Sequence, residues 1–210
     1  MHYFLAGQYM QVEYFFDCSS PWTYLAYTRI ESICDQYSAE LVWKPILVGG
    51  VFNTVNASVY EQRANPVPVK SDYYQKDLRD WANYQGIVIG SPPVFPVNSV
   101  KAMRGCFVAQ EKGLISDYVG HVFYSYWTEL SDISNDEVLE NILEKTGLDR
   151  TEFFQKITEQ AYKDKLRANT EELIRRGGFG SPTMFVNESD MYFGNDRLVL
   201  LEATLSKGAD

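Results

Sequence analysis

Two short segments carry residue types that could do chemistry together. Asp17-Cys18-Ser19-Ser20-Pro21 is a run of helix N-cap types followed by proline, which is favoured in the first helical turn. A serine hydroxyl at a helix start sits beside unpaired amides and the positive end of the helix dipole. It can therefore donate a hydrogen bond to an anion. A thiolate is such an anion, and the pKa of a thiol bound there would fall. Ser20 suits a residue that holds the thiolate of another molecule; the competing reading makes Asp17, Ser19 and Ser20 helix caps alone. The second segment is Phe179-Gly180-Ser181-Pro182-Thr183, just ahead of a β-rich run. Pro182 is either an ordinary trans proline at a strand entry or a cis-proline. In the latter case Ser181 offers its backbone N–H and C=O to an extended peptide.

Other chemistries lack their residues. Two histidines, His2 and His121, cannot build a His-ligated metal site, and no Cys/His cluster has ligand spacing. There is no GxSxG elbow, Walker A loop or GxGxxG turn. Three cysteines, Cys18, Cys34 and Cys106, form no CxxC pair, which argues against a disulfide-stapled secreted chain and suits a reducing cytoplasm. Cys18 lies before the turn and reads as a structural thiol; Cys34 and Cys106 fall on helical stripes and read as small packed hydrophobes. Lys plus Arg is 19 against 28 for Asp plus Glu, a net charge of −9, so phosphate backbones and anionic lipid are repelled. No apolar run approaches the ~20 residues of a membrane span. The opening MHYFLAGQYM has no basic n-region, and residues 1–9 read as an extension ahead of a natural start at Met10. With 210 residues, 45% hydrophobic and 15% aromatic, the chain fits one domain carrying an insertion.

The elements that must position Ser20 and Ser181 follow from periodicity. Gln11 to Phe16 reads as a buried strand, a helix runs from Pro21 toward Ser38, and Glu40 to Val48 reads as a second strand. That is a βαβ unit with a right-handed crossover. From about Tyr73 to Arg176 the pattern is helical almost throughout. Stripes there include Tyr74, Leu78, Trp81 and Val119, Val122, Phe123, Tyr126, Trp127, Leu130. Ser134 with Glu137 reads as a capping box, and Gly147 and Gly177 close helices. Thr183 to Val186 and Met191 to Phe193 are short strands around a turn, and Asn195-Asp196-Arg197 caps a last helix. An N-terminal βαβ joined to a C-terminal ββα is the thioredoxin layout. The expected fold class is therefore α/β, thioredoxin-like, over residues 11–50 and 178–207, with an all-helical insertion over 51–177. In that layout the first helix starts at the active site, where oxidoreductases place Cys-x-x-Cys. Here it reads Ser20-Pro21-Trp22-Thr23, and hydroxyls cannot exchange disulfides.

The segments FFDCSSPWTYLAY, LVGGVFNTVN, FPVNSVKAMRG, GGFGSPTMFV and FGNDRLVLLE, in that order, resemble the 2-hydroxychromene-2-carboxylate isomerases and the kappa-class glutathione transferases. The resemblance covers roughly residues 12 to 206. It implies a thioredoxin domain with a helical insertion, dimeric in solution and binding reduced glutathione as a returned cofactor beside a small aromatic acid. It implies that Ser20 hydrogen-bonds the glutathione sulfur and that Pro21 and Trp22 line the site. Asn56 would touch the tripeptide, Lys70 would meet the glycyl carboxylate, and Ser181, before cis-Pro182, would pair with the cysteinyl backbone. Asn195 and Asp196 would receive the γ-glutamyl end. Two stretches depart from the family pattern. VFNTVN (51–56) is one residue short and lacks the glycine before Asn56, and YEQRANPVPV (60–69) shifts the register leading to Lys70. The runner-up activity is conjugation of glutathione to electrophiles; a non-catalytic glutathione or peptide binder is a third possibility.

Overall fold

The computed structural model describes residues 10–208, so the expected extension before Met10 lies outside the described residues. The first strand, β1, is Gln11–Phe16, and every residue after Gln11 is buried. With β2 (Glu40–Pro45), β3 (Thr183–Val186) and β4 (Asp190–Phe193) it forms one sheet of order β2-β1-β3-β4. The β1–β2 pair is parallel and is joined by helix α1 (Pro21–Gln36); β3 pairs antiparallel with β1, and β4 with β3. This is the thioredoxin arrangement.

Period-2 alternation along β1 feeds two cores. Val12, Tyr14 and Phe16 face the larger one, where the Tyr14 and Phe16 rings stack at 5.3 Å and Trp43 meets both edge-on at 5.7 and 5.5 Å. Phe15 faces the other, with Ile46, Val51, Leu173 and Phe185. On that same side Glu13 lies buried, 3.3 Å from the Lys44 ammonium and 2.5 Å from the Arg176 guanidinium. Arg176 in turn lies 3.9 Å from the Phe185 ring centroid.

The insertion holds α2 (Val48–Val55), α3 (Ser58–Ala64), α4 (Pro68–Gln85), α5 (Val100–Glu111), α6 (Ile115–Phe123), α7 (Asp136–Thr146), α8 (Arg150–Lys156) and α9 (Gln160–Arg175). A last helix, α10 (Leu198–Gly208), follows β4 through a 3₁₀ turn at Asn195–Arg197. The stripe through Val119, Val122, Phe123, Tyr126 and Trp127 is buried as expected, its C-terminal part wound as a π-helical turn over Tyr124–Thr128; Leu130, expected to close the stripe, is exposed beyond the helix end at φ 60°.

Several boundaries differ from the sequence expectation. The second strand stops at Pro45 rather than Val48. The Val48 amide donates to Asp17 Oδ2 at 2.8 Å and the Leu47 amide to Thr170 Oγ1 at 3.0 Å, drawing the chain off the sheet into α2. The expected division between residues 50 and 51 therefore cuts through α2. The helical middle is broken at residues 86–99, where Gly86 takes φ 70° and the Phe95–Pro96 peptide is cis. Asn135, not Ser134, caps α7: its side chain accepts from the Glu137 amide at 3.0 Å, while Asp132 has claimed the Ser134 amide. The Tyr74 stripe of α4 is largely surface, with only Ala82 buried in that helix.

Candidate functional site

The start of α1 forms as its composition dictates. Ser20 is the N-cap, extended at φ −106°, and Pro21 takes the first helical position. Ser20 Oγ accepts from the Thr23 amide at 3.3 Å and donates to the Ser181 carbonyl at 3.2 Å. A lone pair caps the helix while the hydroxyl proton bridges to the facing turn. The buried Ser181 Oγ accepts from the Asp17 amide at 3.0 Å and shares a hydrogen bond with Thr23 Oγ1 at 2.8 Å. The Ser181–Pro182 peptide is cis. The Gly194 amide donates to the Pro182 carbonyl at 3.0 Å, so Asn195 and Asp196 stand beside the same turn. Asn195 is buried, 5% exposed, and its Nδ2 donates to nothing among the described residues. A buried donor without a partner costs ~1–3 kcal/mol, and this atom is itself closed to solvent. The Asp196 carboxylate is half-exposed and pairs with Arg197 at 2.7 Å.

A rim surrounds this junction. Asn56 ends α2; its Nδ2 donates to the Phe179 carbonyl at 3.0 Å, and its Oδ1 accepts from the Ser58 hydroxyl at 3.0 Å. Both ends of that amide are engaged, one tying α2 to the 179–182 turn and the other to the start of α3. A Cβ on Gly180 would stand 2.8 Å from the Phe193 ring and 3.8 Å from Phe52. Any larger residue there would push back the Phe193 ring, which leans on Phe179 at 4.4 Å with its plane tilted by 45°. On the opposite side Trp22 Nε1 donates to the Tyr74 hydroxyl at 2.7 Å, their rings edge-on at 5.2 Å. Lys70 lies one turn before Tyr74 on α4, exposed and with no side-chain partner among the described residues.

Electrostatics separate the thiols from the site. Asp17 is 1% exposed, and its carboxylate accepts from the Ser19 amide at 2.9 Å and the Val48 amide at 2.8 Å. Burial raises its pKa, and those hydrogen bonds oppose the rise. It is a knot between β1, α1 and α2. Cys18 has no exposed surface, and burial pushes its thiol well above the ordinary value; Cys34 is pushed up to about 12 by the same cause. Neither is a nucleophile at physiological pH. Among the described residues no cluster of three His, Cys, Asp or Glu side chains could hold a metal.

The fold thus brings Ser20, Pro21, Trp22, Asn56, Ser181, Pro182, Asn195 and Asp196 to one junction of turns, with Lys70 on the helix that carries Tyr74. Sequence reasoning missed Tyr74 as the partner of Trp22 and Thr23 as the partner of Ser181. The spacing of Lys70 and Tyr74 was the available signal, since residues four apart share a helix face.

A thioredoxin fold whose first helix opens with hydroxyls, facing a cis-proline turn, defines the class. Residues 11–206 match the family described as the DSBA-like thioredoxin domain, and the chain belongs to that family. It is 30% identical to a 2-hydroxychromene-2-carboxylate isomerase of Pseudomonas putida over 94% of this chain and 95% of that protein. It is 27% identical to a kappa 2 glutathione S-transferase of Caenorhabditis elegans, over 89% of this chain and 88% of its relative. Among solved structures, a 2-hydroxychromene-2-carboxylate isomerase superimposes with a TM-score of 0.79 at 28% identity, covering 94% and 95% of the two chains.

Proposed function

We propose that the chain is a glutathione-dependent isomerase of an aromatic carboxylic acid, acting on a substrate of the 2-hydroxychromene-2-carboxylate kind. The observation that carries the reading is the Ser20 hydroxyl at the α1 N-terminus, bridged to the carbonyl of Ser181 beside a cis-proline. The residues present fit the tripeptide: a hydroxyl donor at a positive helix end, an extended turn, and the partnerless Asn195 Nδ2. When bound, glutathione would supply a thiolate that adds to the acid and leaves again unconsumed.

The chain's own groups hold and orient. Ser20 turns its proton from the Ser181 carbonyl to the sulfur, and the released carbonyl becomes an acceptor for a backbone amide of the tripeptide. The α1 amides and dipole add to the stabilisation of negative charge. Asn195 and Asp196 receive the γ-glutamyl end, Lys70 the glycyl carboxylate, and Trp22 with Pro21 walls the sulfur. Asn56 acts through the turn, because its side chain is already spent on Phe179 and Ser58. The reading includes a homodimer, and a reducing cytoplasm, the latter supported by three buried free cysteines. Among the described residues no helix is long and apolar enough to cross a membrane.

A second reading, a kappa-like transferase, is favoured by the kappa-named relatives. Glutathione measured during turnover of 2-hydroxychromene-2-carboxylate separates the two: isomerisation leaves its concentration constant, while conjugation of an electrophile depletes it one for one. Calorimetry without heat at millimolar glutathione overturns both.

A further inference from the structure

Arg63, near the end of α3, is exposed and joins none of the ion pairs among the described residues, in a chain of net charge −9. Its guanidinium lies instead between two phenyl rings, 5.6 Å from the Phe52 centroid and 5.3 Å from that of Phe95. Each ring is anchored to the cleft. Phe52 is among the atoms nearest Gly180, the residue before Ser181. Phe95 packs on Trp127 at 6.2 Å, and Trp127 Nε1 donates to the Cys18 carbonyl at 2.9 Å, two residues before Ser20. Tyr74, the partner of Trp22, is near enough for the Arg63 charge to act against the rise of its pKa that burial causes. Two aromatic contacts therefore hold one cation beside the Ser20–Ser181 junction, framed by ring faces and left without a carboxylate.

An aromatic frame around an unpaired guanidinium matches a planar ring bearing an anion: the ring stacks, and the fork binds both carboxylate oxygens. We infer that Arg63 is the specificity-determining residue that receives the carboxylate of the aromatic substrate. The inference rests on the reading of this cleft as the glutathione and acid site. It makes Arg63 distinct from Lys70, which serves the tripeptide.

The test uses 2-naphthoate and its uncharged amide, 2-naphthamide, as probes. Their binding to wild type, Arg63→Ala and Arg63→Lys is measured by calorimetry with and without glutathione. Wild type should prefer the acid by roughly ten- to hundredfold, the worth of a charge-assisted hydrogen bond. Arg63→Ala should abolish that preference while its glutathione affinity and melting temperature stay within error of wild type, and Arg63→Lys should keep part of it. Equal binding of acid and amide by wild type, binding of neither, or an undiminished preference in Arg63→Ala overturns the inference. So does a parallel loss of glutathione affinity, which would reassign Arg63 to the tripeptide. If the acid preference depends on Arg63 but glutathione binds no variant, the cofactor reading fails and the role of Arg63 stands.

Discussion

At the scale of single residues, Ser20 has two loads that mutation can separate. Its lone pair accepts from Thr23 and its proton reaches the Ser181 carbonyl. Ser20→Ala should raise the pKa of bound glutathione and reduce turnover roughly ten- to hundredfold, because one charge-assisted hydrogen bond is lost. Glutathione affinity should fall far less, since the charged ends of the tripeptide are held elsewhere. A thiolate absorbance titration of the complex, wild type against variant, checks this; coincident curves would leave Ser20 as a cap worth ~1 kcal/mol of stability. Thr23→Val tests the support behind it. The hydroxyl is wholly buried against Ser181 Oγ at 2.8 Å, and its removal weakens the tie to the cis-proline turn. A loss of ~1–3 kcal/mol in denaturant unfolding is expected, with kcat lowered more than glutathione binding.

At the scale of elements, the back of the sheet is held to α9 by charge as well as by Phe15 and Phe185. Burial raises the Glu13 pKa, but hydrogen bonding and charge from Arg176, then Lys44, outweigh it and lower the value below 4.5. A carboxyl depressed in the folded state contributes stability that is present above its unfolded value and is lost as pH falls through the folded one. Stability should therefore drop as pH falls below 4.5, and Glu13→Gln should flatten that acid limb in melts run across pH. Arg176→Met leaves Glu13 with Lys44 alone. It should cost at or below the lower end of the roughly 3–5 kcal/mol of a broken buried pair, read from urea midpoints.

At the scale of the whole molecule, the cleft is assembled from α1, α2, the 179–182 turn and the 3₁₀ turn after β4, so a ligand spanning them binds only the folded chain. Glutathione at a hundredfold over its dissociation constant should stabilise by about 2.7 kcal/mol, seen as a rise in melting temperature that depends on glutathione concentration. An unshifted melt at saturating glutathione would contradict the proposed function while leaving the fold untouched. The same assembly explains what could be read beforehand. Local chemistry was enough for β1, α1, the ββα end and each of the two Ser-Pro turns by itself. Each of these depends on period-2 burial, N-cap oxygen atoms, or proline and glycine dihedrals within a few residues. That the two turns face each other followed from the thioredoxin layout, not from either segment. The bend after Pro45, the partnerless Asn195 Nδ2, the Trp22–Tyr74 bond and the setting of Arg63 were not legible. Each depends on an atom far along the chain: Asp17 and Thr170 seizing amides of Val48 and Leu47, or Trp127 seizing the carbonyl of Cys18. By itself the sequence determined which short segments could cap, turn and alternate, and hence the thioredoxin layout. Only the tertiary structure decided which polar groups were spent on the fold and which were left for a ligand, because hydrogen-bond satisfaction is a property of the folded whole.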